Sequence, residues 1–205
     1  MLSYLPAFLA VGAVAGFLAG LLGVGGGLIV VPALVFVFEH AAVAPQHVLH
    51  LALGTSLASI LFTSLSSIRS HHARGAVNWA IVRAISPGIL LGTFGGATVA
   101  GQISTVGLKW FFVAFATLVG LQMFTGTKPR AARELPGGAG MFAAGGAIGM
   151  ISSFVGIGGG SLSVPFMSWC NVAIHQAVGT SAAIGFPIAL AGALGYLANG
   201  WAVNG

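Results

Sequence analysis

Residues 5–38 form an apolar run of 34 residues without a single charged side chain. As one continuous helix this run would reach about 51 Å at ~1.5 Å per residue. The hydrocarbon core of a bilayer is only about 30 Å thick. The run must therefore tilt, break or turn back. A break is available at Gly23, Gly25, Gly26 and Gly27, with Pro32 soon after. Each glycine weakens a helix by about 1 kcal/mol relative to alanine.

The break occurs twice. Gly-Leu-Leu-Gly-Val-Gly-Gly-Gly-Leu-Ile-Val-Val-Pro at 20–32 is matched by Ser-Phe-Val-Gly-Ile-Gly-Gly-Gly-Ser-Leu-Ser-Val-Pro at 153–165. Gly156, Gly158, Gly159, Gly160 and Pro165 repeat Gly23, Gly25, Gly26, Gly27 and Pro32. A pair of glycine-interrupted hydrophobic segments at corresponding positions points to the binding site of a membrane transporter. A second motif follows each break: His50-Leu-Ala-Leu-Gly-Thr-Ser56 and His175-Gln-Ala-Val-Gly-Thr-Ser181. Two motifs recurring in the same order indicate internal duplication.

Only 4% of the 205 residues are charged, against roughly 25% in soluble domains. The expected fold is therefore an all-α polytopic membrane protein. Further apolar segments are expected at about 48–68, 80–101, 108–126, 137–170 (carrying the second break) and 176–198. Met1–Phe8 lacks a basic region and reads as the start of the first segment, not as a signal peptide. Residues 1–126 form a first repeat, 127–136 a basic connection and 137–205 a partial second repeat. The second repeat has no counterpart to segments 80–101 and 108–126, which reads as a truncation. Basic residues concentrate at Arg69, Arg74 and Arg83 and at Lys128, Arg130 and Arg133. The positive-inside rule puts loops 69–83 and 126–136 in the cytoplasm and makes the chain a multi-pass protein of the cell membrane.

The Gly-Leu-Leu-Gly-Val-Gly-Gly-Gly-x-x-x-x-Pro segment, its second copy and the Gly-Thr-Ser pair resemble the TauE/SafE sulfite-exporter family of membrane permeases. The resemblance covers nearly the whole chain. It implies two halves of four membrane helices each and transport of small, mostly sulfur-containing anions such as sulfite, sulfoacetate and related organosulfonates. This sequence departs from that pattern in lacking the last two expected helices.

Backbone chemistry fits such a cargo. The first N–H groups after a helix break have no intrahelical partner, and the helix dipole adds about half a positive charge there. Gly25–Gly27 and Gly158–Gly160 are the expected donors, and the hydroxyls of Thr55, Ser56, Thr180 and Ser181 can add more. The expected substrate-binding set is Gly23, Gly25, Gly26, Gly27, Pro32, Thr55, Ser56, Gly156, Gly158, Gly159, Gly160, Pro165, Thr180 and Ser181. Against this, glycines in membrane helices often only permit close packing, and membrane hydroxyls often bond back to their own helix.

Histidine is the side chain that titrates near neutrality. His50 and His175 occupy matching positions and are candidates for gating or proton transfer. His71 and His72 read as solvated loop residues, and His40 and His47 as link residues. Cys170, the one cysteine, reads as a packed small side chain. Trp79, Trp110, Trp169 and Trp201 lie near segment ends, as interfacial aromatics do. There is no Asp, and Glu39 and Glu134 lie outside the apolar runs, so no carboxylate relay or sodium site is expected. Paired carboxylates, a triad and metal-ligand spacings are all lacking, so the chain is not read as an enzyme and no cofactor or metal is expected. The partners implied are a small anionic substrate and the lipid bilayer, with a homo-oligomer allowed and no nucleic acid. The competing readings are an anion or solute channel and a non-transporting fragment.

Overall fold

A computed structural model describes residues 9, 12–17, 26–41, 43, 46–126 and 133–204. Gly23 and Gly25 of the first break, and Lys128 and Arg130 of the second basic connection, lie outside the described residues. The elements are α-helices: α1 (Gly27–His40), α2 (Val48–Ala73), α3 (Trp79–Gln102), α4 (Thr105–Thr125), α5 (Gly138–Val155), α6 (Gly160–Trp169) and α7 (Ile174–Asn204). Among the described residues five helices, α2, α3, α4, α5 and α7, are long and apolar enough to cross a membrane.

Local chemistry sets the boundaries. The Asn78 side chain accepts from the N–H groups of Ala80 and Ile81 and caps α3. Ser104 caps α4 by accepting from Gly107 N at 3.2 Å. The left-handed Gly126 ends α4 at φ 61°. α2 runs further than expected, through Arg69, His71 and His72. It closes where Gly75, at φ 65°, and Ala76 donate to the carbonyls of His72 and His71. The connection to α3 is thus only residues 74–78.

Small residues set the helix directions. A methyl group on Gly88 would overlap the Phe142 carbonyl, and one on Gly92 the Gly146 carbonyl. One on Gly96 would lie 3.0 Å from the Met150 Cα. The contacts advance together by four residues, so α3 and α5 run parallel along a glycine seam of the small-xxx-small kind. α2 and α7 run antiparallel: Gly54 faces Tyr196, Leu57 faces Gly192 and Ser64 faces Gly185. The two helices that open on the matched His-x-x-x-Gly-Thr-Ser motifs therefore start on opposite faces of the molecule.

One face carries the start of α2 and the ends of α3 and α7. There His50 Nε2 donates to the Ala100 carbonyl at 2.9 Å and Asn199 Nδ2 to Ala97 at 2.9 Å. Lys109 pairs with Glu39 at 3.1 Å. The other face carries the starts of α3, α5 and α7. There the Arg133 guanidinium lies 5.0 Å from the centre of the Trp169 ring, and Asn78 N donates to Thr180 Oγ1 at 2.9 Å. The connection 74–78 and, of the second basic connection, Arg133 belong to this second face.

Candidate functional site

The second apolar run breaks where its sequence said it should. α5 ends at Val155, and Gly156 takes the left-handed conformation at φ 69°. Its N–H and that of Ile157 both donate to the Ser152 carbonyl. Gly159, left-handed at φ 79°, then starts α6. β-Carbons disfavour that region by about 1–2 kcal/mol, which is why glycine stands at both turns. α6 has 10 residues, a reach of about 15 Å at ~1.5 Å each, half of the hydrocarbon thickness. In the first copy, α1 likewise starts at Gly27. Pro32 and Pro165 fall at the same position of the two short helices.

The two breaks meet. Gly27 packs directly on the backbone of Gly156 and Ile157. Beside this contact opens a cavity of about 1050 Å³, whose wall includes Gly26 from the first copy and Gly158, Gly160, Pro165 and Ser181 from the second. α2 contributes Ser59, Thr63, Ser64, Ser67 and His71. From Ser59 to His71 this wall spans about 18 Å at ~1.5 Å per residue. The cavity thus runs from mid-depth to the face of the basic connections. Among the described residues His71 is the one titratable side chain lining it, and no carboxylate, lysine or arginine does.

The remaining expected residues lie behind the cavity wall or apart from it. Ser56 is buried and donates to the Gly156 carbonyl at 2.8 Å, tying α2 to the break. Gly159 is buried against Ile188. Ser181 and Ser163 share a hydrogen bond at 2.8 Å, and Ser163 also lies 2.8 Å from the Gly159 carbonyl. Thr180 accepts from Asn78 N. Thr55 is exposed and apart from the cavity wall. Pro32 lines a separate cavity of about 370 Å³ beside Glu39 and Lys109. His50 is half-buried, its Nδ1 without a partner, at the end of α2 farthest from His71. His175 is exposed. The matched histidines are thus not brought together.

The hydroxyl wall of α2 was missed in the sequence. Ser59, Thr63, Ser67 and His71 recur every four residues, which puts them on one helix face. That spacing was available to be read. His71 belongs to this wall, not to a solvated loop.

The sulfite exporter TauE/SafE family model matches residues 8–204. The chain belongs to the TauE/SafE family. It is 35% identical to a probable membrane transporter protein of Haemophilus influenzae over 98% of this chain and 76% of the relative. It is 30% identical to a probable membrane transporter protein of Methanocaldococcus jannaschii over 94% of this chain and 72% of the relative. A probable membrane transporter protein of Bacillus subtilis is 29% identical over 91% and 76%. No solved structure matches it. As a TauE/SafE member the chain is a multi-pass membrane transporter.

Proposed function

We propose that the chain carries small anions, sulfite or an organosulfonate, across the cell membrane, with the two glycine breaks forming the floor of the binding cavity. The observation that carries this reading is the meeting of Gly26, Gly158 and Gly160 on one cavity that is free of carboxylates among the described residues. In the first turn of α6 Leu162 and Ser163 donate to the Gly159 carbonyl, whereas the Gly158 and Gly160 N–H groups make no backbone hydrogen bond among the described residues, and about half a positive charge resides at that helix end. An anion at mid-depth is thereby held without a fixed cation, whose desolvation in the bilayer would be expensive.

In this reading residues 1–126 and 137–205 are halves of opposite orientation, and the basic connections face the cytoplasm. The cavity is then open to the cytoplasm. The hydrogen-bonded face at His50, Ala97 and Ala100 is the closed side. An inside-negative potential drives a monoanion outward by about 2.3 kcal/mol per 100 mV.

The test is sulfite flux in proteoliposomes containing the full chain. Saturable efflux, accelerated by an inside-negative potential and by sulfite on the opposite side, is expected. Flux equal to that of protein-free vesicles contradicts the proposal, and linear flux without exchange favours a channel.

A further inference from the structure

The two sides of the cavity differ in the hydrogen-bonding groups they have left to offer. On α2 the hydroxyl protons of Ser59, Thr63 and Ser64 are already used. Ser59 donates to the Ser56 carbonyl at 2.8 Å, Thr63 to Ile60 at 3.2 Å and Ser64 to Leu61 at 3.0 Å. A hydroxyl has one proton and two acceptor lone pairs. These three side chains can accept from a ligand without losing anything, but must give up a backbone bond to donate.

The α6 side is the reverse. Gly158 and Gly160 line the wall, and their N–H groups make no backbone hydrogen bond among the described residues. Ser168 lines the same wall, its unpartnered hydroxyl buried behind it. The two sides are adjacent. A Cβ built on Gly158 would meet the Ile60 side chain at 3.2 Å. A Cβ on Gly185 would lie 3.1 Å from the Gly158 carbonyl and 4.0 Å from the Ser64 Cβ. A bare oxoanion, which has only acceptors, satisfies the α6 side and meets acceptors with acceptors at Ser59, Thr63 and Ser64.

We propose that the cavity selects a small sulfonate or sulfur oxoanion that carries its own O–H or N–H donor. Its anionic oxygens face Gly158 and Gly160, and its donor faces Ser59, Thr63 and Ser64. This rests on the anion-transport reading above and narrows its substrate class.

The experiment measures inhibition of sulfite uptake into proteoliposomes by 2-hydroxyethanesulfonate and by ethanesulfonate, which differ by one hydroxyl. The hydroxylated compound should inhibit at a concentration at least tenfold lower. In a Ser59→Ala/Thr63→Val variant the ratio should fall to within twofold. Both side chains are exposed on the cavity wall, and their loss leaves no buried group unpaired. Equal inhibition by the two sulfonates, or no inhibition by either, overturns this inference and leaves the anion reading standing. A ratio that survives in the variant overturns the assignment to α2. Absence of sulfite uptake overturns both the anion reading and this inference. If the variant does not fold, the ratio in the unaltered chain decides alone.

Discussion

Gly27 and Gly156 touch backbone to backbone. A methyl group on Gly27 would overlap the Gly156 carbonyl and lie 2.8 Å from the Ile157 Cα. The same Gly156 carbonyl accepts from Ser56 Oγ at 2.8 Å. The start of α1, the middle of α2 and the end of α5 are thus joined at one peptide group beside the cavity.

Gly27→Ala should destabilise the protein by about 1–3 kcal/mol, the usual range for forcing a carbon into a packed interior. A lowered midpoint of thermal unfolding in detergent is expected. An unchanged midpoint would mean that the breaks do not meet.

Ser56→Ala removes the donor to a buried carbonyl and should destabilise by about 1–3 kcal/mol. Its neighbour Thr55 is exposed, and Thr55→Ala should stay within about 0.5 kcal/mol. The same unfolding assay separates the two, and equal effects would contradict the orientation of α2.

The glycine seam is tested by Gly92→Ile and Gly95→Ile. Gly92 abuts the Gly146 backbone, whereas a Cβ at Gly95 meets nothing within 4 Å. The first change should abolish a monodisperse protein on gel filtration, and the second should not. Equal tolerance would show that α3 and α5 do not share this seam.

The segments at 48–68, 80–101, 108–126 and 176–198 were legible because each is about as long as the bilayer is thick, and the second break was legible as consecutive glycines. The end of α2 was not. Arg69 is the first charge after the apolar run, but the helix continues until the left-handed Gly75 at φ 65°. Charge ends the apolar pattern, and only cap geometry reports the helix boundary. The seam glycines Gly88, Gly92 and Gly96 are the same residue type as the break glycines. Their four-residue spacing keeps the helix intact and buys close packing instead. His50 and His175 match in sequence, yet α2 and α7 are antiparallel, so the two residues start on opposite faces and meet different neighbours. No alignment of one copy on the other reveals that.

The central claim is that an anion sits against the start of α6. Gly160 tests it most directly, because a Cβ there would have Ser181 Oγ as its nearest neighbour at 3.7 Å, and a longer side chain extends into the cavity instead of into packed backbone. Sulfite efflux from proteoliposomes should be measured for Gly160→Leu, with Gly95→Leu, which meets open space, as the control. The expected result is a monodisperse Gly160→Leu protein whose efflux falls at least tenfold, with the control unaffected. Efflux at the unaltered rate in a folded Gly160→Leu protein would contradict the account.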